Sequence, residues 1–291
     1  MDLYDRCKQN VPLSTLSTFG IGGAALWLFR AEQKEDLQEA LGFVSKEKCP
    51  FMVLGRGSNC LFSDEGFLGV VIQNRVNSFQ DLGDGLFEVG GGVSFPSVGT
   101  RTARDGWGGL EFAVGIPGSV GGAVFMNAAS HTQHTADSVA WVDYIDEQGA
   151  MVRLKREELS FGYRYSSLQN RRGAIAGVGF CLKRDETAIL CQQEMVERRK
   201  RTQPIHDRSA GCVFRNPPGA SAGALIEQAG LKGMVIGGAE VSRVHANFIV
   251  NRHGATARNV IDLMNHIREV VAQKTGVLLE SEIRIVPSTF A

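Results

Sequence analysis

The sequence contains no uninterrupted apolar run of about 18 residues, the length at which a helix crosses a bilayer, so a membrane-spanning helix is not predicted. It has no charge excess of either sign. Acidic and basic residues number 31 each, which leaves no global field to draw the chain to nucleic acid or to an anionic membrane. Its cysteines, Cys7, Cys49, Cys60, Cys181, Cys191 and Cys212, form no CxxC pair and lack zinc-site spacing, so no metal site is expected. They read as free thiols of a reducing compartment. The opening Met1-Asp-Leu-Tyr-Asp-Arg6 lacks the basic segment and apolar run of a secretory signal. The expectation is a cytoplasmic protein whose partners are small molecules, with no nucleic acid, membrane or protein partner indicated. The one basic cluster, Arg198–Arg201, ends a helical pattern, where cations face the negative end of the helix dipole.

Glycine, in contrast, is abundant and concentrated in two runs. In Gly109–Asn127 the side chains are pared back at Gly115, Gly118, Gly121 and Gly122, and Ser119 is placed to cap a short helix whose amides would face an anion. The plain alternative is a tight turn between buried strands. The second run follows the apolar Phe51–Leu54. There Gly55 and Gly57 free amides for a nest, Ser58 and Asn59 add short donors, and Arg56 adds charge, which suits a diphosphate. Cys60 stands where a Rossmann fingerprint needs its third glycine, and no Walker sequence occurs, so neither common nucleotide fold is indicated.

Periodicity predicts a helix within Glu32–Lys48, stopped by Pro50, and a short helix over Ser94–Asp105 with Pro96 in its first turn. Strands are predicted at Phe51–Leu54, Val70–Ile72, Leu86–Val89, Trp141–Ile145, Met151–Leu154 and Ala174–Leu182, with a hairpin at Glu147–Gly149. Helices follow at Thr187–Arg201, Ser221–Ala229 and Ala257–Thr275, the last stopped by Gly276. The closing strand is expected at Val277–Val286. A chain of 291 residues suggests two domains or three smaller lobes.

Seven ordered blocks resemble the UDP-N-acetylenolpyruvoylglucosamine reductase (MurB) family: Ser17–Gly23, Leu54–Asn59, Gly109–Asn127, Tyr163–Ser166, Gly211–Pro217, His245–Asn251 and Leu279–Arg284. The resemblance implies an α+β fold: an FAD-binding domain of the vanillyl-alcohol-oxidase (PCMH) type in two lobes, 1–80 and 81–186, followed by a C-terminal substrate-binding α+β domain, 187–291. It implies noncovalent FAD, NADPH as hydride donor and a UDP-sugar substrate. By the same resemblance, Gly55, Arg56, Gly57, Ser58 and Asn59 contact the cofactor, as do Gly115, Ile116, Pro117, Gly118, Ser119, Gly121, Gly122 and Asn127. The short interval from Arg164 to Cys212 resembles the shorter subclass, which lacks an extra tyrosine loop.

The family reduces an enol ether, which requires fixed positive charge to hold an enolate and an acid to protonate C2. Arg164 matches the arginine aimed at the substrate carboxylate. Without the family context it would read as a surface ion pair or a cation stacked on Tyr163 or Tyr165. Glu282 matches the catalytic glutamate, with Glu280 as rival on the same face. Cys212 replaces the usual serine proton donor, and a thiol of pKa about 8.5 is a stronger acid than an alcohol. The bland reading of Cys212 is a buried structural thiol. Tyr163, Arg215 and Asn216 are expected substrate contacts, while His245 and Asn247 are left outside catalysis. The alternatives are an FAD-dependent sugar or alcohol oxidase of the same flavin fold, and an inactive nucleotide-sugar-binding protein.

Overall fold

The computed structural model describes residues 3–130 and 132–289. The chain divides into two compact units. The first comprises 1–9, 27–56 and 69–198; the second comprises 10–26, 57–68 and 199–291. The second unit thus recruits two N-terminal stretches, which the contiguous division expected from sequence did not contain.

The first unit is built on a five-stranded antiparallel sheet in the order Met151–Lys155, Val139–Asp146, Gly173–Cys181, Leu86–Gly90, Phe79–Gly83. Its core is a cluster that includes Phe87, Phe95, Phe112, Val120, Val178 and Phe180. A second cluster buries Leu37, Ala40, Leu41 and Val44, the apolar stripe of α1 (Lys34–Lys46). That helix begins where Asp36 accepts the Gln33 amide at 3.0 Å, and it stops before Lys48, whose φ is 52°. Phe51–Leu54 runs parallel to Val70–Gln73 and leads into the Gly55–Asn59 run. α2 (Phe95–Arg104) carries Pro96 in its first turn, and α3 (Val120–Phe125) follows the second glycine run.

α4 (Ala188–Thr202) ends in Arg199, Lys200 and Arg201, as the charge pattern predicted. The second unit contains α5 (Ala222–Gln228) and α6 (Ala257–Thr275) beside a three-stranded sheet of Val235–Ile236, Ala239–Val241 and Ile249–Asn251. α6 buries Val260, Leu263, Met264, Ile267 and Val271. Thr256 caps it by accepting the Asn259 amide at 3.1 Å, and Gly276 ends it at φ 72°, a left-handed conformation that favours glycine. Asp64, remote in sequence, also accepts the Ala257 and Arg258 amides at 2.7 and 3.1 Å.

The closing strand is regular only over Arg284–Val286, which pairs in parallel with Cys60–Phe62. The preceding residues instead give their backbone groups to Val213 and Arg215. A strand at Ala24–Ala31 is also present; its Ala-Ala-Leu-Trp-Leu-Phe run has no strict alternation to announce it.

Candidate active site

In the first unit the two glycine runs meet. A Cβ on Gly55 would lie 2.3 Å from Ser119 Oγ, so only glycine permits the strand end at Leu54 to approach the cap of α3 this closely. Ser119 caps α3 as expected, its Oγ accepting the Gly122 amide at 3.2 Å. The expectation that the helix amides face an anion is not met: Val120 N–H donates to Val93 O at 2.9 Å and Gly121 N–H to Gly91 O at 2.8 Å. These amides anchor α3 to its own unit. What remains for a flat ligand is a side-chain-poor surface: Gly115, Ile116 and Gly118 are half-buried, and Pro117 and Gly122 are exposed. A Cβ on Gly122 would meet nothing closer than Ser119 Oγ at 3.3 Å. These residues fit a close-lying aromatic cofactor.

The end of that run holds the arginine candidate. Asn127, buried and at φ 42°, donates from Nδ2 to Gly162 O at 2.9 Å and accepts the Ala136 amide on Oδ1 at 3.0 Å. Gly162 belongs to the hairpin of Phe161–Gly162 and Tyr165–Ser166, whose tip is Tyr163-Arg164. Ser166 Oγ and Gln169 Nε2 both donate to Phe125 O at the end of α3, and Gln169 Nε2 also reaches Arg164 O at 3.1 Å. Arg164 therefore sits on a tip tied to the glycine segment, at φ 55°, a left-handed conformation that residues with a side chain rarely adopt. Its guanidinium lies over the Tyr163 ring, 5.1 Å from the centroid. The stacking alternative is thus realised in part. Gln169 had no signal in the sequence.

In the second unit, three of the sequence blocks are stitched through backbone hydrogen bonds. Val213 N–H donates to Asn247 O at 2.9 Å, and the Glu282 amide donates to Val213 O at 2.8 Å. Arg215 N–H donates to Glu280 O at 2.9 Å, and Cys212 bridges Phe248. The segments bearing Cys212 and Glu282 are therefore immediate neighbours. Of the rival carboxylates, Glu280 is exposed and Glu282 is half-buried, which favours Glu282 as the residue facing a ligand.

Asn59 joins this cluster. Its backbone carbonyl accepts the Arg284 amide at 2.9 Å, and its Nδ2 donates to Glu282 O at 3.3 Å. One of the donors expected to face a diphosphate is thus engaged with the glutamate's backbone. Gly57, at φ 64°, packs beside Leu16, where a Cβ would stand 2.0 Å from Leu16 O. Ser58 is half-buried and Arg56 is exposed. Arg215 Nε is buried with no partner among the described residues, a cost that an anionic ligand would remove. Asn216 Oδ1 accepts the Ala222 amide at 3.0 Å, so it also secures the start of α5. Burial lowers the His245 pKa, and the neutral ring accepts the Asn247 amide on Nδ1 at 3.2 Å.

Comparison with known proteins gives these features a family. Residues 203–286 match the UDP-N-acetylenolpyruvoylglucosamine reductase C-terminal domain, and residues 25–155 match an FAD binding domain. A UDP-N-acetylenolpyruvoylglucosamine reductase of Protochlamydia amoebophila is 49% identical over 287 residues, covering 99% of this chain and 96% of the relative. That of Chlamydia muridarum is 44% identical over 280 residues, covering 96% and 94%. The crystal structure of the MurB reductase from Thermus caldophilus superposes with a TM-score of 0.83 at 38% identity, covering 97% of this chain and 99% of that one. With likeness of this degree along nearly its whole length, the chain belongs to the UDP-N-acetylenolpyruvoylglucosamine reductase family.

Proposed function

We infer that the chain reduces UDP-N-acetylglucosamine enolpyruvate to UDP-N-acetylmuramate with NADPH, through bound FAD, in peptidoglycan precursor synthesis. The observation that carries this reading is full-length likeness to reductases of that name, including the C-terminal domain model over 203–286. An oxidase sharing only the flavin fold would not call for that second match.

When bound, FAD accepts hydride from NADPH and supplies it to C3 of the enolpyruvyl group. The chain's own residues then manage charge and protons. Arg164 is proposed to hold the substrate carboxylate, where its planar fork stabilises the enolate formed as hydride adds. Cys212 gives its S–H proton to C2, completing the saturated ether, and the thiolate recovers a proton from solvent. Glu282, in its protonated form, would donate a hydrogen bond to the enolate. Arg215, with its buried Nε, and Asn216 would take the diphosphate, and Tyr163 would orient Arg164.

Gly55, Arg56, Gly57, Ser58 and Asn59 are the proposed cradle for the cofactor diphosphate. Gly115, Ile116, Pro117, Gly118, Ser119, Gly121, Gly122 and Asn127 would line the isoalloxazine, with Ser119, Gly121 and Asn127 acting by holding the segment in place. Lobes at 1–80 and 81–186 with a substrate domain at 187–291 remain our proposed functional division. No described helix is long and apolar enough to cross a membrane. Nucleotide substrates and six free thiols suit a cytoplasmic location.

Stopped-flow mixing tests the whole reading. FAD-loaded protein should bleach with NADPH and recover its flavin absorbance on addition of the UDP-enolpyruvyl sugar. Recovery driven by oxygen at the same rate, with peroxide formed, would support the oxidase instead. Protein that cannot be loaded with FAD would reject both.

A further inference from the structure

We propose that Asn247 is a positioning residue for Cys212, a proposal that rests on the proton-donor reading of that thiol. Asn247 is 2% exposed, and its carboxamide clasps a single residue of the Cys212 segment from both ends. Oδ1 accepts the Phe214 amide at 3.0 Å, and Nδ2 donates to Phe214 O at 2.8 Å. The Asn247 backbone carbonyl accepts the Val213 amide at 2.9 Å. On its other edge, the same segment is bonded backbone to backbone, Glu282 N–H to Val213 O and Arg215 N–H to Glu280 O.

The segment is therefore held like a central strand with an ordinary neighbour on one side and a side chain imitating a neighbour on the other. A carboxamide suits this task because it carries a donor and an acceptor on one planar group without charge. Leucine or alanine would leave both Phe214 groups buried and unpaired. Aspartate would keep the acceptor but set a carboxylate oxygen against Phe214 O. Phe214 is two residues from Cys212, so a shift in its backbone moves the sulfur relative to the Glu282 segment. Proton transfer responds steeply to such displacement.

The test uses FAD-loaded Asn247→Asp in single turnovers. Flavin reduction by NADPH should stay within about twofold of the parent, because that step uses no proton from Cys212. Reoxidation by the UDP-enolpyruvyl sugar should slow by about tenfold or more, since small misplacements of reacting groups cost that much. Its solvent deuterium isotope effect should rise as proton transfer becomes limiting. Independently of turnover, hydrogen exchange at the Phe214 amide should quicken while that of α6 does not.

Cys212→Ala separates the two readings. If it reoxidises at the parental rate, the proton-donor role fails. If it is slow but Asn247→Asp is parental in rate and isotope effect, the positioning role alone fails. The double variant should be no slower than Cys212→Ala, because Asn247 acts through the thiol. Equal slowing of both half-reactions by Asn247→Asp would mark general damage and overturn the proposal. Should the aspartate variant not fold, Asn247→Ser is read by the same measurements.

Discussion

Replacing Gly55 by alanine probes the junction between the two glycine runs. The added methyl would lie 2.3 Å from Ser119 Oγ and 3.3 Å from Ser119 Cβ. Ser119 is 2% exposed, and its hydroxyl already accepts the Gly122 amide, so it has no open space into which to swing. Displacing the hydroxyl forfeits the cap of α3, at about 1 kcal/mol. Crowding a close-packed site adds about 1–3 kcal/mol. The total, about 2–4 kcal/mol, corresponds to a fall in Tm of roughly 3–7 °C for a chain of this size. In a Ser119→Ala background the obstructing oxygen and the cap are both gone, so Gly55→Ala should cost only about 1 kcal/mol there. Thermal unfolding of the four proteins, followed by circular dichroism, gives the coupling, and flavin fluorescence titration shows whether FAD affinity falls with it. An unchanged Tm in the single variant, or the same loss in both backgrounds, would refute the packing argument.

Further outcomes follow from other sites. Cys212→Ser should keep activity, whereas Cys212→Ala should lower product formation by about 100-fold and spare flavin reduction by NADPH, as pre-steady-state absorbance would show. Asp64→Ala removes the acceptor for the two first amides of α6 and should destabilise by about 1–2 kcal/mol in urea titrations. Burial opposes ionisation of Asp143, but hydrogen bonds from Arg153 and Lys34 outweigh it and hold the carboxyl below the usual range. Because the folded pKa is depressed, this contribution is complete above about pH 4 and is lost as pH falls through the depressed value. Asp143→Asn should therefore be less stable than the parent near neutrality, and the difference should shrink on acidification, as measured by unfolding midpoints across that range.

Much of the architecture was legible because it is local. The stripe of Val260, Met264, Ile267 and Val271 specified α6, and Gly276 ended it where a left-handed residue was needed. The hairpin at Glu147–Gly149 followed from two alternating runs and a turn. The site was legible as separate pieces. The glycine runs stood out by composition, whereas Arg164 and Cys212 stood out only through the family blocks that carry them. Less legible were elements whose residues answer to distant partners. Val277–Ile283 carries the apolar residues of a strand, yet within it Glu280 and Glu282 give backbone bonds to Arg215 and Val213, and regular pairing begins only at Arg284. The Ser119 cap was readable, but not the bonds that tie Val120 and Gly121 to Val93 and Gly91.

By itself, the sequence determined which segments are helical, where glycine is required, and which side chains can supply a cation, a thiol and a carboxyl. The tertiary structure alone decided that Asn59 reaches Glu282, 223 positions away, and that Asn247 clasps Phe214 from a segment 33 positions further on. The reason is physical. Torsional preference and periodicity act within a few residues, whereas such pairings depend on closing long loops and on the burial gained throughout the core.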